Sequence, residues 1–332
     1  MENQKRTIAI VCGGDSSEHD VSMRSGRGLF SFFDKERYNV YLVDVKGLNW
    51  QVELPDGTLT PIDRSHFSFQ ENGIVKQFDY AYITIHGTPG ENGIMQGYFD
   101  LLSIPYSTSN VLVEAMTFNK FVLNQYLRSY GVRVGDSLLI RKGYEQLVSD
   151  EEVEKRIGMP CFVKPAADGS SFGVTKVKNA DQIAPAVRKA MLESDEVMVE
   201  QYLKGTEISI GCYKTKQKSV VLPATEVVTK NEFFDYDAKY NGQVQEITPA
   251  RIPQRTAERV AEITSRIYDL LHCNGIIRID YIITSEDGED KINMLEINTT
   301  PGMTPTSFIP QQVKAAGLNI TDVLTEIVEN QF

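Results

Sequence analysis

Two runs of the chain that read as buried strand carry charged residues inside them. INMLEINTTPGM (292–303) is apolar on both alternating faces, with Ile292 and Met294 on one and Leu295 and Ile297 on the other. Glu296 and Asn298 nevertheless stand within it, two apart and so pointing the same way. GIIRIDYII (275–283) repeats the pattern. Ile277, Ile279, Tyr281 and Ile283 form one face, and Ile276 and Ile282 flank Arg278 and Asp280 on the other. A lone buried carboxylate is costly, so each acid needs a cation, a set of donors or a proton. The polar TSEDGEDK between the runs reads as the turn of an antiparallel hairpin. Symmetric pairing about it sets Asp280 opposite Glu296 and Arg278 opposite Asn298. Opposed side chains lie about 5 Å apart at Cβ, so two carboxylates there repel unless a cation lies between them. An oxygen donor set without His or Cys suits Mg²⁺, whose octahedral sites are shared with phosphates. A metal-free Arg–Asp–Glu network accounts for the same pattern, and pattern alone leaves both open. A one-residue slip of register would spoil either.

Other stretches offer complementary chemistry. In FVKPAADGSSFGVTKV, Gly169, Ser170, Ser171 and Gly173 form a loop whose backbone N–H groups and hydroxyls suit phosphate oxygens, and Lys164 adds a positive charge. No GK[ST] follows, so this is not a Walker A motif. A plain Gly/Ser turn reads the same way. VMVEQYLKGTE reads as a connecting strand whose backbone could meet a base edge, with Glu200 on its rim and Glu207 further along. FFDYDAKYNGQ is either a mobile cover bringing Lys239 and Tyr240 over a site or a solvated loop. NTTPGMTPTSFIP is a Gly/Pro loop with hydroxyls placed to reach a substrate carboxylate.

These groups need elements to hold them. TIAIVCGG, YNVYLVDV and FDYAYITIHG read as buried strands of an open α/β sheet, with a helix-like SEHDVSMRSGRGLFSFF after the first. Ligands of such sheets sit at the carboxyl ends of strands, where Gly13-Gly14 and His86-Gly87 fall. VLVEAMTFNKFVLNQYLRSYG has the spacing of one helix with a glycine stop, and PQRTAERVAEITSRIYDLLHCNG that of another ending at Asn274-Gly275. The 332 residues divide into three consecutive α+β segments, 1–115, 116–205 and 206–332. A net charge of −11 argues against a general nucleic-acid or membrane-surface partner, though not against an anionic ligand in a locally basic site. With four His, a His-based zinc site is not expected. The four scattered Cys and the short apolar run after MENQKR predict reduced thiols and a cytoplasmic protein.

Taken in order, the motifs CGGDSSEHDVS, HGTPGENGIMQG, FVKPAADGSSFGV, FFDYDAKY, GIIRIDYII and LEINTTPGMTPTSFIP resemble the D-alanine–D-alanine ligase family of the ATP-grasp superfamily. The resemblance runs from about residue 8 to 325 and implies an ATP-grasp fold with an N-terminal open α/β domain. By it, ATP binds between the second and third segments. Lys120 and Lys164 contact phosphates, Glu200 the adenine amine and Glu207 the ribose. Ser170 and Ser171 belong to the glycine-rich loop, and Lys239 reaches the γ-phosphate. Asp280, Glu296 and Asn298 hold two Mg²⁺ ions, with Mn²⁺ an acceptable substitute. Glu18 and His86 border the first D-alanine, and Glu18, Ser170 and Tyr240 form a hydrogen-bonded trio that closes the cover. Arg278 and the Gly302 N–H stabilise the oxyanion, while Ser307 and the Phe308 backbone hold the second carboxylate.

The implied reaction joins two D-alanines through an acyl phosphate for peptidoglycan synthesis, in an enzyme that forms homodimers. Thr300 replaces a common Ser and Phe308 a common Leu, changes that bear on the second amino-acid pocket. Asp168 stands where the family often has a basic or Glu-containing stretch, and Tyr240 is a residue that ester-forming variants usually lack. The rival readings are another ATP-grasp amino-acid ligase, such as a D-Ala–D-Ser enzyme, and an ATP-binding regulator without turnover. A dinucleotide oxidoreductase would need a G-x-G-x-x-G that Gly13-Gly14 does not complete.

Overall fold

A computed structural model describes residues 5–167, 173–229 and 244–332. The apolar TIAIVC run forms β1 (Arg6–Gly13), which lies inside a sheet and is buried along most of its length. It ends at Gly13 and Gly14, both at positive φ, where a Cβ on Gly13 would come within 2.3 Å of Asp44 Oδ1. Helix α1 (His19–Phe32) carries the chain back over the sheet to β2 (Tyr38–Lys46), and β3 (Asn49–Glu53) and β4 (Leu59–Pro61) extend the edge. A separate hairpin of β5 (Ser68–Glu71) and β6 (Ile74–Gln77) precedes β7 (Tyr80–Ile83). The strand order is β4-β3-β2-β1-β7, with β1 parallel to both neighbours. The carboxyl ends of β1 and β7 therefore lie side by side, carrying Gly13-Gly14 and the His86-Gly87 turn.

After α2 (Ile94–Leu102), the run read as one helix is two: α3 (Val111–Phe118) and α4 (Lys120–Ser129). The break is Asn119, whose backbone is extended (φ −89°, ψ 98°) and whose side chain caps α4 by accepting from Val122 N at 3.1 Å. Its amide also donates to Glu196 Oε2 at 2.9 Å, and Lys120 N donates to Ala166 O at 2.8 Å. These contacts outweigh continued helix and set Lys120 at the start of α4.

A second sheet holds β8 (Ser137–Arg141), β9 (Cys161–Pro165), β10 (Thr175–Val177) and β11 (Glu196–Gln201) in the antiparallel order β10-β9-β11-β8. Helices α5 (Asp150–Arg156) and α6 (Ile183–Ala190) pack on it. The third sheet takes β12 (Thr206–Lys214), β13 (Ser219–Val221), β14 (Thr225–Thr229), β15 (Val244–Ile247), β16 (Ile276–Glu286) and β17 (Glu289–Asn298). Helix α7 (Gln254–Leu270) covers one face. It stops short of the expected Asn274-Gly275, because His272 turns to φ +52°. Among the described residues, no helix is long and apolar enough to cross a membrane.

β16 and β17 pair as a hairpin with Arg278 opposite Asn298 and Asp280 opposite Glu296. That register depends on a bulge. Tyr281 pairs with Met294, so Leu295 is an extra residue in β17. Strict alternation would have put Ile297 on the face opposite Met294. With the bulge, both join Ile277, Ile279, Tyr281 and Ile283 in the core beneath Val260, Ile267 and Tyr268 of α7. Burial of each such side chain is worth about 1.5–3 kcal/mol. Glu296 and Asn298 turn to the other face, and Leu295 faces the cleft with them.

Helix α8 (Phe308–Ala315) lies over that cleft side of the sheet, and α9 (Ile320–Glu329) runs back to α1. Buried Gln312 fixes α8: its Oε1 accepts from Gly211 N at 2.8 Å, and its Nε2 donates to Ser209 O at 2.9 Å. Gly211 leaves room, since a Cβ there would meet Ile309 at 2.6 Å.

Candidate active site

A cleft of about 1120 Å³ runs between the three sheets. Glu18, His86, Lys120, Lys164, Glu200, Glu207, Arg278, Asp280, Glu296, Asn298, Gly302, Ser307 and Phe308 all line it. Of the candidates, Ser170, Ser171, Lys239 and Tyr240 lie outside the described residues.

At the centre, Asp280 accepts from Arg278 twice, Nε to Oδ1 at 3.0 Å and Nη2 to Oδ2 at 2.8 Å. Ser209 Oγ, opposite on β12, donates to Oδ1 at 2.6 Å, and Asn298 Nδ2 lies 3.4 Å from Oδ2. Lys120 Nζ stands 3.6 Å from Glu296 Oε2. Burial disfavours charge on Arg278, but Asp280, Glu296 and Glu91 outweigh it and hold the guanidinium protonated. Its Cζ lies 5.4 Å from the centroid of the Phe308 ring. The Arg–Asp network of the sequence reading is formed, and Glu296 and Asn298 adjoin it. Among the described residues, no group of three His, Cys, Asp or Glu side chains forms a metal cluster.

Between the second and third sheets, Lys164 Nζ donates to Glu200 Oε2 at 2.6 Å, and Asn124 Nδ2 donates to Oε1 at 3.2 Å. Glu200 is buried, so these partners meet its desolvation cost. Glu207, paired with Val227 and Ile282 in the third sheet, lines the same end.

At the first sheet, His86 N donates to Ser22 Oγ at 2.9 Å, and Nε2 lies 3.2 Å from Ser25 Oγ. Burial holds the imidazole below its ordinary range, Glu18 opposing and Arg278 adding to the effect. Glu18 sits at the start of α1, close enough that a Cβ on Gly87 would lie 3.4 Å from its Oε2. Gly302 faces the Ser307 hydroxyl, which accepts from Thr304 N at 3.1 Å. Ser307 precedes α8 at its N-terminal end.

The sequence reading missed Glu91, Glu114, Asn124, Ser209 and Gln312. Glu91 stood in the quoted HGTPGENG motif, without a role. Gly87 N donates to its Oε2 at 2.7 Å, while burial and then Glu18 push its carboxyl up to about 7. Glu114 on α3 accepts from Ser109 N at 2.9 Å and from Thr299, and burial raises it well above the carboxylate range. Ser209 and Asn124 carried no local signal, because each meets its carboxylate only through tertiary pairing.

Residues 7–109 match the family model described as D-ala D-ala ligase N-terminus, and residues 127–329 that described as D-ala D-ala ligase C-terminus. The D-alanine–D-alanine ligase of Phocaeicola vulgatus is 69% identical over 328 residues, covering 99% of this chain and 100% of that protein. The solved VanG D-Ala:D-Ser ligase from Enterococcus faecalis superposes with a TM-score of 0.88 at 28% identity, covering 99% of this chain and 100% of that one. The D-alanine–D-alanine ligase from Bacillus anthracis complexed with ATP superposes at 0.75 with 26% identity, covering 98% and 96%. The fold is that of an ATP-grasp enzyme. Within that class, the chain belongs to the D-alanine–D-alanine ligase family.

Proposed function

We propose that this protein joins two D-alanines to D-alanyl-D-alanine at the expense of ATP, supplying a peptidoglycan precursor. The observation that carries the reading is the hairpin register, which sets two acids, an arginine and an amide at the meeting point of the three sheets.

A carboxylate is a poor electrophile and must be activated. One carboxylate oxygen of the first D-alanine attacks the γ-phosphorus, ADP leaves, and an acyl phosphate forms. Lys120 and Lys164 draw the phosphates into line, while Glu200 and Glu207 read adenine and ribose. Asp280, Glu296 and Asn298 would hold Mg²⁺, two ions with Mn²⁺ an acceptable substitute, which when bound neutralises the crowded phosphate charge. Their all-oxygen donor set fits that ion.

Glu18 orients the first ammonium beside His86. The amine of the second D-alanine then attacks the acyl carbon, the carbonyl electrons moving to oxygen. Arg278 and the Gly302 N–H stabilise that oxyanion. Its collapse expels phosphate, and the nitrogen gives up its extra proton. Ser307 and the Phe308 N–H, at the positive end of α8, hold the second carboxylate. Ser170, Ser171, Lys239 and Tyr240 complete the phosphate loop and the cover by family resemblance. Division at 115 and 205, a homodimer and a cytoplasmic location belong to the same proposal.

The test is release of ADP and phosphate with ATP, Mg²⁺ and D-alanine, run beside D-serine, D-lactate and L-alanine. The dipeptide is the expected product. Preference for D-serine would move the assignment to the acceptor named for the Enterococcus neighbour. ATP binding without turnover would replace the ligase with a regulator.

A further inference from the structure

Helix α8 has eight residues and is too short to hold its place by itself. The second carboxylate is assigned to its start, at Ser307 and the Phe308 N–H, so whatever seats the helix sets where the second amine stands. Ile309 and Val313 pack it into the apolar core shared with β1, β2 and β7. That contact is non-directional and fixes neither slide nor rotation.

Gln312 supplies the direction. The β12–β14 ladder ends at Ser209 opposite Thr225, and the β12–β13 ladder starts at Cys212 opposite Val221. The side-chain amide of Gln312 fills the gap between them like the peptide group of a missing strand. Its Oε1 accepts from Gly211 N at 2.8 Å, and its Nε2 donates to Ser209 O at 2.9 Å and to Thr225 Oγ1 at 3.0 Å. Both amide protons are used, and the residue is fully buried. A Cβ on Gly211 would come within 2.9 Å of that Oε1, so glycine lets the amide approach.

Phe308 lies one turn before Gln312, on the same side of α8. Its ring centroid stands 5.4 Å from Arg278 Cζ, while Gln312 bonds to Ser209. Arg278 and Ser209 are also the residues that hold Asp280, through Nε, Nη2 and Oγ. The helix therefore rests on the two residues that orient the central acid.

We propose that Gln312 is a positioning residue for the second amino acid, holding the start of α8 at a fixed distance from the Arg278–Asp280 pair. The inference rests on the ligase reading for the substrate it names. Attack on an acyl carbon needs the amine about 3–3.5 Å away and aligned, and a displacement of about 1 Å costs up to about a hundredfold. Without its three Gln312 bonds, α8 keeps the apolar contact but slides over the sheet. The second D-alanine then binds out of line, while the nucleotide and the first D-alanine, held by other elements, are unaffected.

Gln312→Met keeps length and volume and removes all three bonds. Thr225→Val keeps shape and removes one. Ile267→Ala, a truncation in the core on the other face of the same sheet, is the control for lost stability alone. Two D-alanines bind, so the curve of rate against D-alanine gives a constant for each site. Gln312→Met should raise the second constant about tenfold and lower kcat about tenfold, with the first constant and KM for ATP within about twofold of wild type. Thr225→Val should raise the second constant about threefold and decides the matter if Gln312→Met does not fold. Ile267→Ala should melt lower with all three constants within about twofold of wild type. An unchanged second constant in either variant, an equal rise of all three constants, or the same rise in Ile267→Ala would overturn the proposal. Amide hydrogen exchange reads the seating without turnover. The Gly211 N–H and the α8 amides should exchange at least about tenfold faster in Gln312→Met than in Ile267→Ala, and equal rates would sink the idea. Wild type that releases no ADP with D-alanine would overturn the ligase reading alone, and the exchange comparison would still decide what seats α8.

Discussion

At the end of the cleft proposed for the nucleotide, acids and cations stand in pairs: Lys164 with Glu200 at 2.6 Å, Arg278 with Asp280 at 2.8 Å and Lys120 with Glu296 at 3.6 Å. At the end proposed for the amino acids, hydroxyls and backbone N–H groups carry more of the contacts: Ser25 at His86, Thr304 N–H at Ser307, and Gly87 N–H at Glu91. The difference follows from the ligands proposed for each end. A polyphosphate needs cations that stay charged inside a protein, and a buried cation is tolerable only beside an acid. A small zwitterion needs geometry more than net charge, and neutral donors supply it at a lower desolvation cost. Ligand arrival must therefore rearrange pairs at one end, while it fills a prearranged frame at the other.

The largest expected effect lies at the paired end. Glu296→Gln should lower turnover at least about a thousandfold while the fold persists, since the change keeps shape and removes only charge. Wild-type-like ADP release would withdraw the proposed metal role. Next, Arg278→Met should cut kcat by about 10²–10³ through the lost oxyanion donor. It should also lower thermal stability, because Asp280 is left buried without its cation. Arg278→Lys, which restores charge without the two-pronged geometry, should recover stability better than kcat. Lys164→Met should act more mildly, raising KM for ATP about tenfold with a smaller change in kcat. An unchanged KM would make Lys164 a structural partner of Glu200 alone.

The smallest effect lies at the neutral end and is a matter of stability. Glu91 has its carboxyl raised from 4.5 to about 7 in the folded protein. A raised pKa contributes stability that is fully present below the unfolded value and is lost as pH rises through the folded one. From about pH 4.5 to about pH 7, wild type should therefore lose on the order of 2 kcal/mol relative to Glu91→Gln, part of the shift being screened at the cleft. Melting curves of the two proteins that keep a constant gap over that window would remove the distinction between the ends.

Much of this was legible in the chain. The strands TIAIVCG and YNVYLVDV, the helix at 254–270 and the acid pairs within apolar runs all announced themselves through periodicity. Asn119 did not, because a helix break made by contacts with Glu196 and Ala166 has no local mark beyond one capping residue. Glu91 was visible within its motif, but its protonation was not. That depends on burial and on Glu18, 73 residues away in the chain.

By itself the sequence determined which chemistry was available: oxygen donors without a His or Cys cluster, lysines and an arginine for phosphate and oxyanion, hydroxyls for a carboxylate. It also determined that Asp280 and Glu296 had to be near one another, since the turn between their strands is short. Only the tertiary structure decided which face those acids take. The extra residue at Leu295 reverses the alternation of β17, and a bulge has no signature in a two-residue period. It likewise decided which groups compensate the buried charges. Ser209 and Asn124 stand 71 and 76 residues from the carboxylates they serve, and sheet pairing and packing bring them there.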